Sequence, residues 1–125
     1  MNPRVTIERR KTPRQRVHYR MDVSDPNGEF FGCLLDVSSS GMRVLTSEDV
    51  NVLNVTKLKI ELPRWLELGE TIRIEGRFVW CKAKSRGKME AGFSFDGLRE
   101  SEQDKLDQLV DRVSQAAEED GGSQG

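Results

Sequence analysis

Residues 30–45 read Phe-Phe-Gly-Cys-Leu-Leu-Asp-Val-Ser-Ser-Ser-Gly-Met-Arg-Val-Leu, and the rest of the fold can be worked out from this stretch. Two apolar runs, 30–37 and 42–45, are joined by the hexapeptide Asp36–Gly41, which contains an acid, three hydroxyls and a glycine. Asp, Ser and Gly favour turns, whereas the apolar runs favour strands. The stretch therefore predicts two antiparallel strands joined by a turn that carries more polar groups than a turn requires.

Four further segments alternate apolar and polar residues with a period of two, which is typical of half-buried strands. They are residues 17–24, 55–62, 70–82 and 89–95. In the longest segment, the residues predicted to share one face are Ile72, Ile74, Phe78 and Trp80. Gly76 between them predicts a bend or bulge. Six short strands separated by turn residues predict a small antiparallel β-barrel, because closure removes exposed sheet edges.

Beyond the strands, the apolar period changes to that of a helix. One helical stripe is formed by Leu106, Leu109, Val110 and Val113. The chain is therefore expected to have four parts. They are a flexible basic arm at residues 1–15, an antiparallel barrel at 16–97, a capping C-terminal helix at 98–117 and a disordered acidic tail at 118–125.

The charges are distributed unevenly along the chain. Residues 1–20 hold seven arginines and lysines against one glutamate, whereas residues 96–125 hold nine acids against three cations. A basic head predicts an anionic partner. There is no apolar run long enough to span a membrane and no secretory signal at the N-terminus. A cytoplasmic protein without a membrane partner is therefore expected.

Patterns typical of catalysis or metal binding are sparse. His18 is the only histidine, and Cys33 and Cys81 lie far apart without a Cys-x-x-Cys or Cys/His cluster. No glycine-rich loop of the kind that cradles phosphates is present. The sequence therefore favours a binding protein over an enzyme and predicts neither a metal ion nor a cofactor.

The basic arm and the hexapeptide are complementary in their chemistry. Arg10 and Arg14 stand four positions apart, and a guanidinium matches a phosphate or the O6/N7 edge of guanine with two parallel hydrogen bonds. Asp36 can accept the N1–H and N2–H₂ donors of guanine. Together they predict a pocket for an anionic, guanine-containing ligand. Each element alone has a plainer interpretation, a solvated basic tail for the arm and a structural turn for the hexapeptide.

Arg-x-x-x-Arg at 10–14 followed by Asp-x-Ser-x-x-Gly at 36–41 resembles the PilZ domain family, which binds the bacterial second messenger cyclic di-GMP. The Gly-Arg-Phe-Val-Trp strand at 76–80 and the Gly-Phe-Ser-Phe strand at 92–95 are similar to strands of that family. The resemblance covers roughly residues 8–115. It implies a six-stranded antiparallel barrel capped by one helix, with cyclic di-GMP as ligand and no catalytic activity.

The resemblance implies ligand-binding roles on both walls of the pocket. The predicted residues are Arg9, Arg10, Arg14, Asp36, Ser38, Gly41, Arg43 and Trp80. Arg9 resembles the arginine of members that bind a stacked pair of cyclic di-GMP molecules. Arg43 either adds charge to the site or faces solvent. Trp80 either lies near the ligand, as in some members, or belongs to the barrel core.

The preferred hypothesis is a stand-alone cyclic di-GMP receptor. Its arm is loose without ligand and folds across the barrel when ligand phosphates neutralise the arginines. The new surface would meet or release a protein partner that controls motility, surface polysaccharide or biofilm formation. Two alternatives stay open. One is a PilZ-type adaptor that binds proteins without nucleotide and uses Trp65 and the helix, and the other is a small RNA-binding barrel. DNA is not expected as a partner.

Overall fold

The computed structural model describes residues 15–47 and 57–124, with side chains as far as residue 115. The strands are β1 (Gln15–Arg16), β2 (Asp22–Ser24), β3 (Phe30–Val37), β4 (Gly41–Ser47), β5 (Lys57–Glu61), β6 (Thr71–Ser85) and β7 (Lys88–Phe95). A short 3-10 helix, Arg64–Leu66, precedes β6, and helix α1 spans Glu100–Gln124.

Strands β2 to β7 close into a six-stranded antiparallel barrel. β2 pairs with β3, β3 with β4, β4 with β7, β7 with β6, β6 with β5, and β5 returns to β2. The two-residue β1 is added outside this ring, along the end of β3. The barrel with its C-terminal helix confirms the fold predicted from the alternation of the strands.

The core fills the barrel and continues under the helix. Fully buried side chains include Met42 and Val44 from β4 and Ile72 from β6. Leu106 and Leu109 of α1 are equally buried, as the helical stripe predicts. The helix is therefore fixed against the barrel by the same apolar surface that the strands bury.

Two boundaries differ from the sequence-based expectation. Residues 17–21 were predicted to belong to a strand, but ladder pairing in this region is limited to β1 and β2. Burial nevertheless alternates as predicted in this segment, because Val17 and Tyr19 are half-buried and Met21 is buried. The reason is that alternation reports which side chains face the core, whereas a strand also requires continuous hydrogen bonding to a neighbour.

The helix extends past its predicted end at residue 117. The backbone of α1 is helical to Gln124. Ala116, Ala117, Glu118 and Glu119 all have high helix propensity, which favours the extension as far as Glu119. Within the described residues, no helix has an apolar segment long enough to cross a bilayer.

Candidate ligand site on the outer face of the barrel

The hexapeptide forms the tight connection between β3 and β4. The Ser38 N–H donates to the Gly41 carbonyl oxygen at 2.8 Å. The Ser38 hydroxyl oxygen accepts hydrogen bonds from the backbone N–H groups of Ser40 and Gly41, both at 3.2 Å. Ser38 is only 2% exposed. Its side chain therefore shapes the turn from within, which is a common structural use of serine.

Gly41 is required by the packing of β4 against β7. A Cβ atom at this position would lie 2.7 Å from the Phe93 carbonyl oxygen, closer than real Cβ contacts. Its φ is not in the left-handed region. The glycine of the Asp-x-Ser-x-x-Gly motif thus allows two strands to approach, whatever further contact it makes with a ligand.

We expect Gly41→Ala to lower the free energy of unfolding by about 1–3 kcal/mol, because the added methyl forces the β4 and β7 backbones apart. Urea denaturation followed by circular dichroism would measure the change. Ser39→Ala, in the same turn, is the control and should change the free energy by less than about 0.5 kcal/mol. Equal stability of Gly41→Ala and the parent would contradict the packing explanation.

A register shift between β3 and β4 turns Asp36 to the outside of the barrel. Leu34 lies opposite Val44, and both side chains are in the core. Asp36 lies opposite Arg43, although Leu35 stands between Leu34 and Asp36 whereas Arg43 and Val44 are adjacent in the chain. The extra residue, Leu35, reverses the alternation, which is the usual effect of a bulge. Asp36 therefore shares the outer face with Arg43 instead of the core with Leu34.

A second register shift does the same for Trp80. Phe78 lies opposite Phe93, with ring centroids 6.2 Å apart, but Trp80 lies opposite Gly92 because Val79 is an extra residue in β6. The indole covers Gly92, since Trp80 Cε2 lies 2.6 Å from where a Gly92 Cβ would stand. The prediction that Trp80 shares a face with Ile72, Ile74 and Phe78 is wrong for this reason. Trp80 is half-buried and does not belong to the core cluster.

The two shifts align four positions across the outer face. Asp36 lies opposite Arg43, Arg43 opposite Gly92, and Gly92 opposite Trp80. Side chains directly opposite in a ladder project from the same face. An acid, a cation and a flat indole therefore lie in one row across β3, β4, β7 and β6.

Arg43 joins two carboxylates on this face. Its Nη2 lies 2.8 Å from Asp36 Oδ2 and its Nη1 lies 3.1 Å from Glu90 Oε1. Lys84 Nζ continues the chain of charges at 3.0 Å from Glu90 Oε2. The side chains of Asp36 and Glu90 are 9% and 7% exposed, so both acids are nearly buried beneath the cations.

These ion pairs shift the titration of Glu90. The hydrogen bond from Lys84 lowers the pKa of Glu90, and the charges of Arg43 and Lys82 act in the same direction, against the effect of burial. The folded-state pKa is thus below the ordinary 4.5. The ion pairs therefore stabilise the fold above pH 4.5, and this contribution is lost as the pH falls through the folded-state pKa.

Strand β1 brings the chain that follows the arginine motif to the same place. Gln15 lies opposite Val37, and Arg16 lies opposite Asp36 with its side chain exposed. Gln15 is covalently bonded to Arg14, the last residue of the arginine motif. The described chain therefore begins, one residue after the arginine motif, on a strand that pairs with the first residues of the Asp/Ser/Gly motif.

The structure brings Asp36, Arg43 and Trp80 together on one face, with Ser38 and Gly41 in the adjoining turn. Arg9, Arg10 and Arg14 lie outside the described residues, so their roles stay predictions. Arg16, Glu90 and Lys84 were not predicted from the sequence. Arg16 could have been suspected from its position beside the arginine motif, whereas Glu90 and Lys84 join the site only through strand pairing. Among the residues with a described position, there is no group of three or more His, Cys, Asp or Glu that could hold a metal ion.

The sequence model of the PilZ domain matches residues 8–112. The chain belongs to the PilZ domain family. The match contains both the Arg-x-x-x-Arg and the Asp-x-Ser-x-x-Gly motifs, and it spans most of the 125 residues. No curated protein matched this chain.

Solved PilZ-type structures share the fold at low sequence identity. YcgR from Escherichia coli, solved in complex with c-di-GMP, superposes with a TM-score of 0.69 at 13% identity, covering 94% of this chain and 51% of YcgR. The PilZ domain of YcgR with c-di-GMP gives 0.68 at 11% identity, covering 91% and 98%. The Bacillus subtilis inhibitor of motility MotI gives 0.66 at 18% identity, covering 86% and 52%. This PilZ chain therefore spans about half the length of full YcgR and of MotI.

Proposed function

We propose that this PilZ domain is a receptor for cyclic di-GMP. The observation that carries the proposal is the pairing of β1 with β3, which places Arg16, two residues after the arginine motif, opposite Asp36 in the outer-face row. The family match and the c-di-GMP held by the YcgR structures support the same ligand. The domain would act by binding this ligand and not by catalysis.

The proposed roles follow from the chemistry of each side chain. Arg10 and Arg14 would bind guanine and phosphate from the arm, because a guanidinium offers paired donors to both groups. Asp36 would accept hydrogen bonds from the guanine N1–H and N2–H₂ edge. The exposed face of Trp80 offers a flat surface to a base. Arg9 would add a further cation. A stacked pair of cyclic di-GMP molecules carries four phosphate charges instead of two and therefore needs more cations than a single molecule.

The proposed response is movement of the basic arm. Without ligand, the positive charges of residues 1–14 repel one another, and the two phosphates of cyclic di-GMP would remove that repulsion. The arm would then fold across β3 and β4 and change the surface offered to a protein partner, with motility or surface polysaccharide as the output. The proposed setting is the bacterial cytoplasm, which suits the two free cysteines, Cys33 and Cys81.

Titration calorimetry of the whole chain with cyclic di-GMP tests the proposal. We expect saturable binding. At a ligand concentration of one hundred times Kd, the free energy of unfolding should rise by about 2.7 kcal/mol, and the melting temperature should rise by several degrees. Cyclic di-AMP is the matched control, because it keeps both phosphates but lacks the guanine N1–H and N2–H₂ donors. Equal binding of the two ligands would contradict recognition of guanine by Asp36.

A second candidate is an adaptor that binds proteins without nucleotide. One observation favours it, the side chain of Trp65, which is 64% exposed and packs edge-on against Tyr19 with ring centroids 4.9 Å apart. A large exposed aromatic residue is typical of protein contacts. An unchanged melting temperature with excess cyclic di-GMP would favour the adaptor, and salt-dependent binding of single-stranded RNA would favour an RNA-binding barrel.

A further inference from the structure

Glu90 lies beside the proposed ligand site but does not belong to either sequence motif. It is on β7, directly opposite Leu45, two residues along β4 from Arg43. Its carboxylate holds Arg43 Nη1 at 3.1 Å, while Arg43 Nη2 holds Asp36 at 2.8 Å. We infer that Glu90 is a positioning residue for the guanine-binding side of the site, acting through Arg43 on Asp36. The inference rests on the proposed cyclic di-GMP function.

The geometry of arginine explains how Glu90 can act at a distance. A guanidinium is planar, so two hydrogen bonds from different Nη atoms fix both its position and the orientation of its plane. The side chain of Arg43 is 28% exposed and crosses β4 between an acid on β3 and an acid on β7. If Glu90 were absent, the guanidinium could rotate about its bond to Asp36. The Asp36 carboxylate would then lose its fixed orientation.

The negative charge of Glu90 is a second reason to assign it a positioning role. With a single carboxylate partner, Arg43 would place its whole positive charge against Asp36 and compete with the guanine donors for that carboxylate. Glu90 shares this charge, and Lys84 at 3.0 Å balances Glu90 in turn. Asp36, Arg43, Glu90 and Lys84 together carry no net charge. Asp36 can thus keep its capacity to accept hydrogen bonds from a base.

The stabilising effect of its ion pairs does not by itself explain why an acid occupies position 90. The Glu90 side chain is only 7% exposed, and removing a carboxylate from water opposes folding. Apolar residues of similar size often serve as well as a buried ion pair, so such a pair is weak evidence of a purely stabilising role. A role in orienting Arg43 accounts for the placement of a buried acid next to the row formed by Asp36, Arg43 and Trp80.

The experiment compares Glu90→Ala with Glu75→Ala in the whole chain. Glu75 is a matched control because it also pairs with a lysine, at 4.0 Å, but is 57% exposed and lies five residues, about 16 Å, from Trp80 along β6. Calorimetry with cyclic di-GMP should show Kd raised about tenfold by Glu90→Ala and unchanged by Glu75→Ala. Glu90→Gln keeps an acceptor for Arg43 and should raise Kd about threefold.

Two readouts separate positioning from a structural role. The preference for cyclic di-GMP over cyclic di-AMP should fall in Glu90→Ala, because Asp36 is the group that distinguishes the bases. Without ligand, the ¹⁵N NMR signals of the Arg43 guanidinium should show faster rotation in Glu90→Ala than in the parent or Glu75→Ala. Glu90→Gln is the control for a folding defect, because the glutamine side chain has nearly the same shape as the glutamate side chain.

Each outcome leads to a different conclusion. A parent protein that binds no cyclic di-GMP would overturn the proposed function, and with it any ligand role for Glu90. A parent that binds, together with Glu90 variants that bind as tightly and as selectively, would overturn only the inference about Glu90. Weaker binding with unchanged base preference and unchanged Arg43 signals would also overturn positioning, because it would indicate a general loss of structure.

Discussion

Replacing Arg14 with alanine is expected to weaken binding of cyclic di-GMP at least tenfold. The proposed contact is a charge-assisted, partly buried pair of hydrogen bonds, and losing one such contact costs roughly 1.5–3 kcal/mol. Arg14 should be sensitive because it is bonded to Gln15, which pairs with Val37 of the hexapeptide. Calorimetry on the parent and the variant measures the ratio of their Kd values.

The control for Arg14 is Arg86→Ala, which makes the same change of charge at the turn between β6 and β7, where Arg86 is exposed. It should leave Kd within about twofold, because an exposed charge far from the ligand is screened at physiological salt. If the Arg14→Ala protein bound cyclic di-GMP as tightly as the parent, the arm would not be part of the proposed site. Equal weakening in both variants would indicate general electrostatic attraction instead of a specific contact.

Replacing Asp36 with alanine is expected to have two large effects. Arg43 would keep only Glu90 as an ion-pair partner at 3.1 Å, and an under-satisfied, partly buried donor should lower the free energy of unfolding by about 1–3 kcal/mol. The guanine edge would also lose its acceptor, so binding of cyclic di-GMP should weaken at least tenfold. Urea denaturation and calorimetry on the same preparation measure the two effects separately.

Asp22→Ala is the matched control for Asp36. Asp22 also pairs with an arginine, Arg20, at 2.8 Å, but both side chains are well exposed, at 39% and 70%. Exposed ion pairs contribute about 0–1 kcal/mol, so this variant should be nearly as stable as the parent and should bind normally. If Asp36→Ala lost stability but bound cyclic di-GMP with unchanged affinity, Asp36 would be a structural partner of Arg43 and not a ligand contact.

Much of the fold could be predicted from the sequence because local patterns report burial. The alternation around Ile72 and Ile74 and the helical stripe of Leu106 and Leu109 each placed the buried side chains correctly. Alternation does not report hydrogen-bond partners, so residues 17–21 were predicted as strand although they make only isolated ladder-type bonds. The helix also continues beyond residue 117, because Glu118 and Glu119 have high helix propensity.

Less of the candidate site could be predicted. Asp36 and the residues of its motif were identified from chemistry and resemblance, but nothing in the sequence shows which face of the sheet Asp36 or Trp80 occupies. Strict alternation would put Trp80 on the face of Phe78. Glu90 was not singled out because an acid in a strand of alternating residues looks like any solvent-facing charge.

The sequence by itself determined where most of the strands and the start of the helix lie and which residues are buried within most of them. It also determined that an arginine motif and an Asp/Ser/Gly motif belong to one PilZ domain. Only the tertiary structure decided how the described residues of the candidate site are arranged. The extra residues Leu35 and Val79 turn Asp36 and Trp80 outward, and pairing across strands brings Glu90 to Arg43. The physical reason is that side-chain periodicity is a local property, whereas register depends on which strands pair and where a bulge interrupts them.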